Sequence, residues 1–148
     1  MTGQYRPTIS IITVTCNRAD TLEQTIASVV GQTYPHIEYI IIDGGSTDAT
    51  GKIIEKYQAH IARFVSEPDD GLYDAMNKGI ALATGEYVQI IGSDDALVDS
   101  SVIENAVAEL TPEVDILSGS EYCVDEESGR QLLYTNHAAR DQRAYAGG

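Results

Sequence analysis

Two adjacent carboxylates, Asp94 and Asp95, close the segment Glu-Tyr-Val-Gln-Ile-Ile-Gly-Ser-Asp-Asp at residues 86–95. Acids so placed can hold a divalent cation through one or two oxygens and leave its other positions to water and a substrate's phosphates. They could equally cap a following helix. Position favours the metal reading. Residues 87–91 form a short apolar run of the length of a buried strand, and Gly92 and Ser93 interrupt it. Open α/β sheets take their ligands just past the carboxyl ends of such strands.

The elements that must position this pair can be followed along the chain. Ile9–Thr15 is β-rich and nearly all apolar, a central strand. Thr21 and Gln24 have capping-box spacing before a helix with Leu22, Ile26, Val29 and Val30 on its buried stripe and Gly31 at its end. Ile37–Asp43 is a second strand, and its turn runs Asp43-Gly44-Gly45-Ser46-Thr47-Asp48. Ser46 or Thr47 would cap the next helix, which carries Ile53, Ile54 and Tyr57. Arg63–Ser66 suits a third strand. A loop at 67–71 leads to a helix with Leu72, Ala75, Met76, Ile80 and Ala83, closed by Gly85. Beyond the acids, Asp99 or Ser100 would cap a helix with Val102, Ile103, Ala106, Val107 and Leu110. A strand at 114–117 and a hairpin at 121–135 around Glu126-Glu127-Ser128-Gly129 follow, and after residue 136 the pattern dissolves.

Strands alternating with helices predict an α/β fold, a mostly parallel sheet with helices on both faces. The first, second and fourth strands would then bring Thr15 to Arg18, Asp43 to Ser46, and Asp94 with Asp95 to one edge. Three turns rich in Gly, Asp and Asn meeting there describe a nucleotide-type site.

The 148 residues suffice for one domain with a core. A net charge of -14 argues against nucleic acid as a partner, and with nine basic residues a phosphorylated ligand would need a cation. No apolar run has the length of a membrane span, and the start lacks a signal-peptide layout. Cys16 and Cys123 form no disulfide framework or zinc pattern, which makes a reducing, cytoplasmic setting the default. Cys16 reads as a buried strand-end thiol. No Gly-x-Gly-x-x-Gly follows the first strand, and no P-loop or Gly-x-Ser-x-Gly occurs. His36, His60 and His137 lack metal or triad spacing.

Five segments carry a resemblance. They are Ile-Ser-Ile-Ile-Thr-Val-Thr-Cys-Asn-Arg at 9–18, Ser-Val-Val-Gly-Gln-Thr-Tyr at 28–34, and Ile-Asp-Gly-Gly-Ser-Thr-Asp at 42–48. Asp-Asp-Gly-Leu-Tyr-Asp-Ala-Met-Asn-Lys-Gly at 69–79 and the stretch at 85–95 follow in order. Together, over about residues 8–120, they resemble the family 2 glycosyltransferases. The resemblance implies the Rossmann-like GT-A fold, a nucleotide-diphosphate sugar donor, and sugar transfer with inversion to a sugar, lipid-linked or other glycan acceptor. It implies that Asp95 holds Mg2+ or Mn2+ and that Asp94 accepts a hydrogen bond from a ribose hydroxyl. Val14 and Thr15 would line the base pocket, largely through backbone groups, with Asp43 near the base or ribose. Lys78 would face the phosphates or simply cover its helix. Cys16 stands where many relatives stack an aromatic residue on the base, and Gly44 where many have a second acid.

The family's general base lies in a later segment. Residues 1–148 are therefore expected to be a single donor-binding domain truncated on its acceptor side, with the base beyond residue 148. Surface polysaccharide or glycoconjugate synthesis at the inner face of the membrane, with peripheral association of a full-length protein, is the implied setting. Two other readings stand beside this one, a sugar-nucleotide pyrophosphorylase and a non-catalytic nucleotide-binding or interaction module.

Overall fold

A computed structural model describes residues 3–134. It divides into one compact unit ending at Glu109 and a second beginning at Leu110. In the first unit, β1 (Ile9–Thr15), α1 (Leu22–Val30), β2 (Ile37–Asp43), α2 (Thr50–Lys56), β3 (Arg63–Ser66), α3 (Leu72–Leu82), β4 (Tyr87–Gly92) and α4 (Val102–Ala108) alternate as expected. Four parallel strands form a sheet in the order β3-β2-β1-β4.

The two central strands, β1 and β2, are rich in β-branched residues, which suit a pleated sheet. All seven residues of β1 are buried. Ile12, Val14, Ile40 and Ile42 point to one face and pack with Ala75, Met76, Leu82 and Ala83 of the α3 segment. The alternate residues Ile11, Thr13, Tyr39 and Ile41 are as deeply buried on the other face, so both sides of the central strands are covered. Between them the Thr13 hydroxyl and the Tyr39 phenol share a 2.9 Å hydrogen bond, which satisfies two buried polar groups.

Several local expectations are corrected. β4 is the edge of the described sheet rather than a strand covered on both faces: Val88 is 45% exposed and only Ile91 is buried. Thr21 occupies the cap position of α1 but makes no capping bond, and its buried hydroxyl lacks a partner among the described residues. Ser46 and Thr47 do not cap α2, which starts at Thr50. There Asp48 Oδ1 accepts the Thr50 N–H at 2.9 Å. The helix over α4 is preceded by Ser101, and Asp99 accepts both the Ser101 N–H and its hydroxyl at 2.8 Å. α3 ends at Leu82, short of Gly85, which is pressed against Ser10 and Thr8 of the β1 segment.

In the second unit, residues 114–117 form no strand. The predicted hairpin is present as β5 (Glu121–Val124) and β6 (Gln131–Tyr134), paired antiparallel. Asp125 closes its turn by accepting the Ser128 N–H and hydroxyl. The expectation for residue 135 onward, His137 included, lies outside the described residues.

Candidate functional site

Register alone gathers the three predicted turns. At the carboxyl edge of the sheet Thr15 lies beside Asp43, Asp43 beside Ser66, and Val14 beside Gly92. The sequence-predicted residues Val14, Thr15, Asp43, Asp94 and Asp95 thus cluster on adjacent strand ends.

The acidic pair follows β4 directly. The Asp95 N–H donates to the Gly92 carbonyl at 3.1 Å, closing a turn that leaves both side chains exposed. Gly92 is what lets them converge. A Cβ on Gly92 would lie 2.9 Å from Asp95 Oδ2 and 3.1 Å from Asp94 Oδ1, so both carboxylates lean over one small empty position. Helix α1 holds the turn from behind. The Thr25 hydroxyl donates to the Asp95 carbonyl at 2.6 Å, and Ser28 Oγ accepts the Leu97 N–H at 3.1 Å. Gln32 donates to the Asp99 carbonyl and accepts the Ile103 N–H, while the Thr33 N–H reaches the Ser100 carbonyl. Sequence reasoning missed these positioning roles, although Ser28, Gln32 and Thr33 lie in a segment singled out above.

Two convergent carboxylates fit Mg2+ or Mn2+, hard cations that prefer oxygen. No group of three or more His, Cys, Asp or Glu ligands assembles among the described residues. Phosphate and water oxygens would therefore complete such a shell, as is usual for Mg2+ at substrate phosphates.

Asp43 is nearly inaccessible, at 2% exposure, and its carboxylate is engaged. It accepts the Ser46 N–H at 3.1 Å through Oδ2, the Ser66 hydroxyl at 2.6 Å, and the Ser46 hydroxyl. Val14 packs its side chain into the core, leaving its backbone as the part available at the edge. Thr15 is different: its Oγ1 is buried without a hydrogen-bond partner among the described residues. An orphaned hydroxyl at a strand end is costly unless something met there satisfies it.

The turns after β1 and β2 are stitched together. Asn17, in the left-handed region at φ 51°, accepts the Thr47 N–H at 2.8 Å, and its own N–H donates to Ser46 Oγ at 2.7 Å. Asp48 accepts the Ala19 N–H, and Thr50 Oγ1 the Arg18 N–H. Bonds from the Thr50 hydroxyl and N–H hold the Asp48 carboxyl below its usual range. Cys16 is exposed beside Gly44 rather than buried.

Lys78 reaches none of these strand ends with a free charge. Its ammonium lies 3.1 Å from Glu67, 3.3 Å from Asp74 and 3.4 Å from the Pro68 carbonyl. The Glu67 carboxylate, and then that of Asp74, push its pKa up. The pair of acids and the lysine strap the loop before α3. A separate hollow of about 200 Å3, lined by Val29, Gln32, Tyr34, Ile37, Tyr39 and His60, opens at the amino end of β2, away from the acids.

The family model for glycosyl transferase family 2 matches residues 10–146. An uncharacterized glycosyltransferase of Mycobacterium tuberculosis is 42% identical over 106 residues, which cover 71% of this chain and 40% of that relative. The chain thus spans about 40% of the length of the curated relative it matches. Among solved structures, the mannosyltransferase PcManGT from Pyrobaculum calidifontis, in complex with GDP-Man and Mn2+, is 30% identical with a TM-score of 0.67. That match covers 81% of this chain and 36% of the other. S. aureus TarS 1-349 in complex with UDP-GlcNAc is 26% identical with a TM-score of 0.62, over 68% of this chain and 30% of the other.

Proposed function

Because the chain belongs to glycosyl transferase family 2 and has a GT-A fold, we propose that it binds a nucleotide-diphosphate sugar at the carboxyl edge of its parallel sheet. The reaction served is transfer of that sugar to an acceptor hydroxyl with inversion, in surface polysaccharide or glycoconjugate synthesis. A cytoplasmic site of action goes with this reading. Among the described residues no helix is long and apolar enough to cross a membrane.

One observation carries the proposal: the carboxylates of Asp94 and Asp95 lean over Gly92, next to the end of β1. Asp95 would hold Mg2+ or Mn2+, and Asp94 would accept a ribose hydroxyl. A divalent cation bound there supplies Lewis-acid stabilisation of charge on the leaving diphosphate. Thr15, whose hydroxyl has no partner among the described residues, and the Val14 backbone would meet the base or ribose. Asp43 fixes the turn that forms the wall of that pocket. Lys78 would serve nucleotide binding by holding the loop before α3 in place. The GDP-Man, Mn2+ and UDP-GlcNAc in the two structural neighbours support this assignment.

Calorimetric titration with UDP, GDP, CDP and dTDP, each with and without Mn2+, tests it. Binding is expected to depend on Mn2+, and Asp95→Ala to lower the metal-dependent affinity at least about tenfold, or roughly 1.4 kcal/mol. Nucleotide binding indifferent to both Mn2+ and Asp95 would sink the reading.

A further inference from the structure

The space above Gly44 is filled by another residue's carboxylate. A Cβ on Gly44 would lie 2.7 Å from Asp69 Oδ2 and 3.3 Å from Cys16 Cβ. Glycine at 44 therefore leaves room for Asp69 to reach the end of β2.

The loop that carries Asp69 is held at both ends. The Glu67 N–H donates to the Asp43 carbonyl at 3.0 Å, and Gly45, at φ +81°, packs under Pro68. The Asp70 N–H donates to Asp74 Oδ2 at 3.0 Å, and Lys78 bridges Glu67 and Asp74. Within this frame Asp69 Oδ1 accepts the Gly71 N–H at 3.0 Å. Oδ2 takes no hydrogen bond among the described residues. A half-buried acceptor is thus presented, in fixed orientation, at the strand ends where a nucleotide is proposed to lie.

We propose that Asp69 selects the donor's nucleobase by accepting, through Oδ2, a hydrogen bond from a ring N–H. This inference rests on the donor-site reading above. Uracil, thymine and guanine carry such a ring N–H, whereas cytosine and adenine turn a ring-nitrogen lone pair to the same position. A carboxylate facing that lone pair is left unpaired, which is where discrimination arises.

The test is a titration of UDP, GDP, CDP and ADP in Mn2+ against the full 148-residue chain and three variants. The unaltered chain is expected to bind UDP or GDP at least about tenfold more tightly than CDP and ADP, as one hydrogen bond to a charged group would give. Asp69→Asn, whose amide can also donate, should compress that ratio to within about threefold. Gly44→Ala should do the same by displacing the carboxylate without changing charge, and Asp70→Asn should leave the ratio as it is. Circular dichroism establishes that each variant is folded. A ratio kept in Asp69→Asn, even with a uniform fall in affinity, overturns the base-selecting role while Mn2+- and Asp95-dependent binding still supports the donor site. Failure of the unaltered chain to bind any nucleotide overturns both.

Discussion

Gly92 illustrates how much of the site depends on an absent side chain. The two acids need a position where their oxygens can approach one another, and a methyl group there would sit within about 3 Å of both. Gly92→Ala is therefore expected to splay the carboxylates and weaken Mn2+-dependent nucleotide binding about tenfold or more, since misplacing a ligating group by an ångström is that costly. Calorimetry with and without Mn2+ checks this, and unchanged metal dependence would mean that the pair is no cradle. Asp43 makes the opposite point. Its acid receives the Ser46 N–H and the Ser46 and Ser66 hydroxyls, so its role in the observed geometry is to hold the turn after β2. Asp43→Asn turns a donor toward donors in a buried place and should cost about 1–3 kcal/mol in urea-induced unfolding.

At the scale of elements, close approach of α3 to the sheet is set by Gly79. A Cβ there would meet Ile12 Cγ2 at 2.5 Å. Alanine would gain about 1 kcal/mol of helix propensity, but overpacking a core costs about 1–3 kcal/mol. Gly79→Ala should lower the melting temperature, and Ile12→Ala in the same chain should cost less than the sum of the two single changes. The amino end of the sheet has its own fastener. Glu38 on β2 accepts the Ser10 hydroxyl at 2.8 Å and the Thr84 N–H and hydroxyl at 2.8 and 2.6 Å, tying β1, β2 and the turn before β4. Burial opposes its charge, but the Thr84 and Ser10 bonds prevail and hold its carboxyl below its ordinary range. A lowered folded value contributes stability that is present above the unfolded value and lost as pH falls through the folded one. Glu38→Gln should cost about 1 kcal/mol near neutrality and flatten the loss of stability below about pH 4.5, read from urea midpoints across acid pH. The bounds of β1, β2 and β3 could be read from composition, because segments carrying Ile, Val, Phe or Tyr give way to turn-forming residues, Asn17, Gly44 and Pro68. Helix starts could not. Ser46, Thr47 and Thr21 have capping chemistry, yet Ser46 is taken up by Asp43 and Asn17, and Thr21 makes no cap bond. Nor could the edge place of β4 be seen, since an apolar run reads alike at an edge and in a centre. In the site, the acids were legible as residue types. Their support by Thr25, Ser28 and Gln32 depends on contacts about 70 residues apart in the chain.

For the molecule as a whole, charge sets the problem that a phosphorylated ligand must overcome. Nine basic residues stand against 23 acids, a net charge of -14. Arg6, Lys56, Arg63 and Lys78 are each already paired with an acid. A nucleoside diphosphate approaching without a cation is therefore repelled by the protein's field. Salt weakens that repulsion, because charges are screened beyond about 10 Å at 0.1 M ionic strength. In the presence of EDTA, raising NaCl from about 20 to about 300 mM should thus strengthen UDP or GDP binding several-fold, the direction screening of like charges requires. With Mn2+ bound at Asp94 and Asp95 as proposed, the local charge would be offset, and the same salt series should leave affinity level or lower it. Titrations in both series decide the matter. A metal-free affinity that falls with salt would mean that unpaired basic residues, not a cation on the acidic pair, hold the phosphates.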